Sequence, residues 1–332
     1  MYMEKSTVSN IQGGEYTAAV TMSKRTSSKH IRQDVDAEPH ARLTVATCQF
    51  SISGDIEDNC AKVIHQMRIA RKCEADVAHF SEAALGGYAG ADFSSFDGYD
   101  WNSLRCCTER IMKEAGDLKL WVILGSNHQL AGKRKPHNSL YVISDHGDIV
   151  DRYDKMFCTG NKKETSGDLK HYSAGSHFVV VTIKGIKCGF QICHDMRYPE
   201  LYREYYKLGV QLMFHSYRNS RRELKNPNDP DQNIWGVITE PTMQTYAAEN
   251  NMWISANNTA TRESCWPSFF VRPDGVITGR LKRNQDGLLI TTVDTKYSFY
   301  DASAVWRFRA RCGIYHSGTL VYDRRSEDRT SL

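Results

Sequence analysis

The chain has 332 residues, 40% of them hydrophobic and 25% charged, with a formal net charge of +4. That is enough for one large domain or two of ordinary size. Both signs of charge are interspersed, which excludes the basic stripe of a nucleic-acid binder, and no apolar run approaches the roughly 20 residues of a membrane span. Ten cysteines are scattered without a Cys-x-x-Cys pair or a short cysteine-dense framework, a pattern we read as reduced thiols in a cytoplasmic protein.

Residues 1–40 are rich in Ser, Thr, Lys, Gly and Gln and lack periodicity, so we expect a disordered or loosely packed N-terminal extension. Lys24, Arg25, Lys29 and Arg32 are basic, but Glu4, Glu15, Asp34 and Asp36 argue against a targeting peptide. The folded domain is expected over 41–300. It opens with the alternating strand Arg42 to Phe50 and continues into an amphipathic helix over Asn59 to Cys73, with Cys60, Val63, Ile64, Met67 and Ala70 at three- and four-residue steps.

Asp76 to Ser81 predicts a short strand running into Glu82, Trp101 to Leu118 a helix, and Leu120 to Gly125 a third strand. Ser139 to Ser144 and Ile149 to Tyr153 form a hairpin around Asp145-His146-Gly147-Asp148. Strands at Phe178 to Ile183 and Lys187 to Cys193 follow a polar loop, then a helix to Leu208 and a strand over Val210 to His215. A basic loop from Arg218 to Asp231 leads to a helix over Trp235 to Asn250. Beyond it come a strand over Met252 to Asn257, a hairpin around Pro273-Asp274-Gly275 and a last strand over Gly287 to Val293. Strands alternating with helices argue an α/β domain with a mixed sheet or two packed sheets. Residues 301–332 form a charged tail, which we place at an oligomer interface.

Three strand ends carry chemistry. Glu82 closes one, ahead of the small-residue loop Ala83 to Tyr88; Lys155 closes another, in Asp151-Arg152-Tyr153-Asp154-Lys155; Cys193 closes a third. Ligands gather at the carboxyl ends of strands in open α/β sheets, so the three can converge. After Cys193, Asp195 is a plausible helix cap, and Pro199 and Glu200 suit a first helical turn. A thiol on such a strand-to-helix turn is expected to have its pKa lowered by the helix dipole. Together the set suffices for acyl transfer: a thiolate to attack a carbonyl, a carboxylate to move its proton, and an ammonium with the N–H after the nucleophile to hold the oxyanion. A Cys–His pair is the competitor. His194 is adjacent to the cysteine and expected to point away, and His79, inside a strand, reads as a core residue.

The three contexts resemble the signatures of the carbon–nitrogen hydrolase (nitrilase) superfamily. Those are an acidic residue before a Gly-Tyr loop, a Tyr-x-Lys strand end, and Cys-x-Asp-x-Arg-(Phe/Tyr)-Pro-Glu, matched by Cys193, Asp195, Arg197, Tyr198, Pro199 and Glu200. The similarity covers Arg42 to Val293. It implies an α-β-β-α sandwich that works without metal or organic cofactor as a homodimer or larger homo-oligomer. It further implies Glu82 as general base, Lys155 as oxyanion stabiliser and Cys193 as nucleophile. Glu164 lies in the loop where many members carry a second glutamate, and is carried over as a substrate-positioning residue. Ser81, Met156-Phe157 and His194 depart from the common pattern and bear on substrate rather than on chemistry.

Cys-x-Asp-x-Arg-Tyr-Pro-Glu is similar to the amidase and N-carbamoylase branches, whereas true nitrilases more often carry Cys-Trp-Glu. The expected reaction is hydrolysis of a small amide or N-carbamoyl compound through a thioester or S-carbamoyl intermediate. Tyr88 and His194 are candidates for the substrate pocket, with Trp266 and Phe269 as further aromatic walls. In the loop Arg218-Asn219-Ser220-Arg221-Arg222, Arg218 is the candidate to clasp a substrate carboxylate, against the alternative of a solvated basic loop. An acyltransferase or amidotransferase with the same triad, and a non-catalytic binding protein with the same fold, are the other readings. The first would need membrane spans or an ATP-binding domain that the sequence lacks, and the second conflicts with an intact Glu-Lys-Cys set. A metal hydrolase finds no His/Asp cluster at ligand spacing.

Overall fold

The computed structural model describes residues 5–10, 17–22, 40–221 and 223–330. The chain divides into two compact units, Met1–Phe299 and Tyr300–Leu332. In the first, β1 (Lys5–Asn10) and β2 (Thr17–Met22) precede β3 (Arg42–Gln49), α1 (Ile56–Lys72), β4 (Val77–Phe80), α2 (Trp101–Leu118) and β5 (Trp121–His128). Next come β6 (His137–Ile143), β7 (Ile149–Asp154), β8 (Val180–Ile183), β9 (Ile186–Ile192), α3 (Pro199–Lys207) and β10 (Leu212–Ser216). The unit closes with α4 (Pro230–Asn250), β11 (Trp253–Asn257), β12 (Phe269–Val271), β13 (Ile277–Arg280) and β14 (Gly287–Asp294). The second unit holds the short helices α5 (Arg307–Arg311) and α6 (Arg324–Glu327), and within it Arg307 pairs with Asp301.

Two sheets form. One has the order β2-β1-β14-β3-β4-β5-β6-β7, the other β13-β12-β11-β10-β9-β8. Within each, three neighbouring strands are parallel: β3, β4 and β5 in the first, β9, β10 and β11 in the second. Parallel neighbours need crossovers, and α1 and α2 supply them for the first sheet as α3 and α4 do for the second. Leu43, Val45, Ile123 and Val142 of the first sheet pack with Phe190, Leu212, Phe214 and Phe270 of the second in one buried cluster. The outer faces pack on α1 and α2 through Cys60, Val63, Met67, Leu104 and Ile111, and on α3 and α4 through Tyr202, Tyr205, Met243 and Ala247. The result is an α-β-β-α sandwich.

The helices stop and start for local reasons. Asp55 caps α1 by accepting from the backbone of Glu57 and Asp58, and Arg71 and Lys72 complement its C-terminal end. Asp100 caps α2 through the Ser103 N–H at 2.9 Å. α4 starts at Pro230 behind the Asp229 cap, five residues ahead of the expected Trp235, and has a kink at Asn233.

In the stretch expected to be a loose extension, β1 pairs antiparallel with β14 (Thr7 opposite Ile290) and β2 with β1. Ser/Thr-rich composition is compatible with strands at the outer end of an antiparallel sheet. The remaining residues of that stretch, 1–4, 11–16 and 23–39, lie outside the described residues. Among the described residues no helix is long and apolar enough to cross a membrane.

Candidate active site

β4, β7 and β9 all run out at the same edge of the sandwich, and the residues that follow them meet there. Glu82 comes two residues after β4, at the start of a backbone turn in which Ala83 adopts φ +56°. β5 crosses hard against this turn. A side chain on Gly125 would put its Cβ 2.0 Å from the Ser81 carbonyl oxygen and 2.8 Å from the Ala83 nitrogen, so only glycine fits. The Glu82 carboxylate is fully buried and held at both oxygens. Oε1 accepts from Lys155 Nζ at 2.8 Å and Asn138 Nδ2 at 2.7 Å, and Oε2 accepts from the Arg218 backbone N–H at 2.9 Å.

Lys155 follows β7, and its backbone N–H donates to the Asn138 carbonyl at 2.9 Å. Its ammonium is buried between two carboxylates, Glu82 on one side and Asp168 Oδ2 at 2.8 Å on the other. Burial by itself would lower the lysine pKa, but the two anions outweigh it and hold the group well above its ordinary value. Asp168 opens a single 3-10 turn, Asp168–Lys170, behind Gly167 at φ +59°. It accepts from the Thr159 N–H at 3.0 Å and from the Tyr88 phenol. Burial raises its pKa, yet Lys155 and the hydrogen bonds prevail and hold it at about 2.

Cys193 follows β9 at φ +46° and begins a five-residue 3-10 helix, Cys193–Arg197, that leads into α3. Asp195 ties this turn down. Fully buried, its carboxylate accepts from the Ile192 N–H at 3.0 Å, the Phe157 N–H at 2.8 Å and the Tyr153 O–H at 2.7 Å. It therefore binds the cysteine turn to the strand and loop that carry Lys155. Burial pushes the Asp195 carboxyl up to about 6. The Cys193 thiol is pushed well above its ordinary value, first by burial and then by the Glu82 carboxylate close to it, against the opposing pull of Lys155. The expectation that the helix dipole lowers this pKa is corrected here: desolvation and a neighbouring anion outweigh the dipole of so short a helix. The thiol is thus held toward its protonated form, with the Glu82 carboxylate beside it.

Residues 44–298 match the family described as carbon-nitrogen hydrolase. The chain belongs to the carbon–nitrogen hydrolase family. Among curated relatives, this chain is 24% identical over 204 residues to a deaminated glutathione amidase of Dictyostelium discoideum, covering 57% of this chain and 65% of that one. It is 26% identical over 176 residues to a 2-oxoglutaramate amidase of Bacillus subtilis, covering 52% and 64%. The match thus spans somewhat under two thirds of these relatives' length. Among solved structures, the NitN amidase of Nesterenkonia sp. AN1 superposes with a TM-score of 0.64 at 18% identity, over 82% of this chain and 98% of that one. Another structure of that amidase, with the acetamide moiety of fluoroacetamide added covalently at its active-site cysteine, superposes with a TM-score of 0.62 at 18% identity, over 76% and 90%.

Not every residue singled out from the sequence reaches the site. Tyr88 does, as a partner of Asp168 with its ring 5.9 Å from Lys155 Nζ. His194 sits at the cysteine turn with its ring edge-on to Tyr198, and burial followed by Lys155 lowers its pKa. Glu164 does not reach it: its side chain is 60% exposed and lies 3.4 Å from Lys135. The acidic residue of that loop that touches the lysine is Asp168, four positions on. Arg218 comes to the site through its backbone only, because its guanidinium is buried against Asp92. That pairing corrects the expectation of a free carboxylate clasp. In the same loop Arg221 pairs with Glu263 through backbone hydrogen bonds, and Arg222 lies outside the described residues. Trp266 packs edge-on to Tyr217, and Phe269 belongs to the core under α4.

His79 is a core residue: its two ring nitrogens bridge Ser255 and Ser216 of the opposite sheet at 2.8 Å each. Asn138, Asp168 and His215 were not anticipated. Among the described residues no group of three or more His, Cys, Asp or Glu is placed to hold a metal ion.

Proposed function

We propose that the protein hydrolyses the C–N bond of a small amide, with release of ammonia or an amine, through a thioester on Cys193. The observation that carries this reading is the buried Glu82 carboxylate, bonded to Lys155 Nζ at 2.8 Å while lying close enough to the Cys193 thiol to raise its pKa. Glu82 takes the thiol proton as Sγ bonds to the carbonyl carbon. The carbonyl oxygen becomes an oxyanion facing Lys155 and the His194 N–H. Glu82 then returns the proton to the departing nitrogen, the C–N bond breaks, and the thioester remains. Water, deprotonated by Glu82, attacks the thioester; the C–S bond breaks, and the thiolate recovers its proton as the carboxylic acid leaves. Asp168 keeps Lys155 charged and in place through the cycle.

Two observations favour an amide over an N-carbamoyl amino acid. The Arg218 guanidinium is committed to Asp92 and is not free to bind the carboxylate of a carbamoyl amino acid. Named relatives of this chain are amidases. The test is ammonia release from a panel of primary amides, N-carbamoyl amino acids and nitriles, with Cys193→Ala alongside and intact-mass detection of the acyl adduct. Turnover confined to amides and abolished by the substitution supports the proposal; turnover of carbamoyl compounds alone would replace it with the carbamoylase reading.

A further inference from the structure

Cys193 holds a left-handed backbone conformation that non-glycine residues keep only where their surroundings insist. Asp195 secures one side of that turn. On the other side, at the end of β10, lies buried His215, with Nε2 3.3 Å from the Cys193 carbonyl oxygen and Nδ1 2.8 Å from the Tyr202 phenol oxygen. A carbonyl oxygen only accepts, so Nε2 carries the ring proton. Nδ1 is then the acceptor, and the Tyr202 O–H, which also lies 3.4 Å from Met243 Sδ, donates to it as the nearer and stronger acceptor. Tyr217 stacks on the imidazole at 4.3 Å and 5° between planes. Burial lowers the His215 pKa to about 3, so the ring stays neutral with one proton.

The peptide joining Cys193 to His194 is planar and trans, so its C=O and N–H point in opposite directions. Pinning the Cys193 oxygen therefore aims the His194 N–H. Being in the first turn of the 3-10 helix, that N–H has no acceptor within the helix. A hydrogen bond to the oxygen also polarises the same peptide and strengthens its N–H as a donor.

We propose that His215 is a positioning residue: its Nε2–H, oriented by Tyr202, holds the Cys193 carbonyl and so directs the His194 N–H at the oxyanion. The proposal rests on the amide-hydrolysis reading for its kinetic consequence, though not for the hydrogen bond itself. Three variants separate its parts. His215→Phe keeps a ring against Tyr217 but loses the donor, His215→Gln keeps an N–H near the Nε2 position, and Tyr202→Phe releases the tautomer.

For a turned-over amide, kcat should fall about 100-fold in His215→Phe with KM changed by less than about threefold, the signature of a donor used only in the transition state. Alkylation of Cys193 by iodoacetamide forms no oxyanion and should change by less than about threefold. His215→Gln should recover about tenfold of the lost kcat, and Tyr202→Phe should lose about tenfold. Equal losses of kcat and alkylation, or no difference between the Phe and Gln variants, would overturn the proposal by reducing His215 to a packing residue. Imidazole 15N spectra, with His215 assigned by its absence from His215→Gln, add a readout independent of turnover. An Nδ1-protonated ring overturns the proposal even in an active enzyme. A wild type inert to every amide, yet with an Nε2-protonated His215, supports the hydrogen bond and removes the hydrolase reading.

Discussion

The Asp168 carboxylate stands 2.8 Å from Lys155 Nζ, the same distance at which Glu82 meets that nitrogen from the other side. A buried lysine with two counter-ions is fixed in position and stays charged when one of them, Glu82, takes up a proton. Asp168→Asn should therefore lower kcat by about 10- to 100-fold, as loss of a group that holds the oxyanion stabiliser does. Glu164→Gln, at the surface, should stay within about twofold. Parallel kinetics on the two variants decide which carboxylate of the loop serves the site.

The same aspartate has a pH signature. Its carboxyl is held at about 2 against an ordinary 3.8, so the unfolded chain binds its proton more readily than the folded one. Its contribution to stability is thus complete above about pH 4 and is lost as the pH falls through about 2. Acid-unfolding curves should show that loss in the wild type, and Asp168→Asn should flatten that part of the curve.

Glu82→Gln should move two measurements in opposite directions. Removing the anion beside the thiol lets the Cys193 pKa fall, so alkylation by iodoacetamide at mildly alkaline pH should become faster. Amide turnover should drop by about a thousandfold, because the proton carrier is gone. Slower alkylation together with lost turnover would mean that Glu82 activates the thiol in the resting enzyme, contrary to the raised pKa.

Arg218→Ala tests whether that arginine serves the fold or the substrate. The guanidinium and Asp92 are both buried, so removing one leaves the other uncompensated, at a cost of roughly 3–5 kcal/mol. A large fall in Tm is expected, along with activity losses that are similar for neutral and anionic substrates. A normal Tm with KM raised only for carboxylate-bearing substrates would restore the clasp.

Gly125→Ala should be destabilising by roughly 3 kcal/mol, since its Cβ would overlap the Ser81 carbonyl and β5 must retreat from the turn that carries Glu82. Urea denaturation would register the loss. A variant of unchanged stability would show that this turn has room to yield.

The positions of Glu82, Lys155 and Cys193 were legible because each closes a predicted strand, and in a sandwich of this kind strand ends share an edge. Glu164 and Asp168 were not separable by that logic. Both are acidic residues of one polar loop, and it is the turn at Gly167, with the hydrogen bond that the Asp168 N–H donates to Thr159 Oγ1, that brings the second one inward. The basic loop at Arg218 misled for a related reason. Its partner Asp92 lies 126 positions away, and no local pattern announces that pairing. His215 was visible only as the end of a strand, since its importance comes from Tyr202 and the Cys193 carbonyl, which reach it across the packed face of the second sheet. The thiol pKa was misjudged because a dipole can be read from local sequence, whereas burial cannot.

The lysine-centred cluster is not electrically balanced. Two carboxylates share one ammonium, and moving a proton from Cys193 to Glu82 leaves that surplus negative charge unchanged. A second negative charge placed about 5 Å from the centre would be repelled by on the order of 3 kcal/mol at an effective dielectric constant of about 20. In the proposed reaction the cluster is therefore a filter as well as a catalyst. It admits a neutral carbonyl and disfavours compounds with an acid group next to the scissile bond, so any carboxylate on the substrate must be carried at the far end of the molecule. Iodoacetate and iodoacetamide, nearly equal in size and different in charge, measure the filter directly: Cys193 should react with the amide much faster than with the acid, and high salt should change that preference little, because the charges are buried.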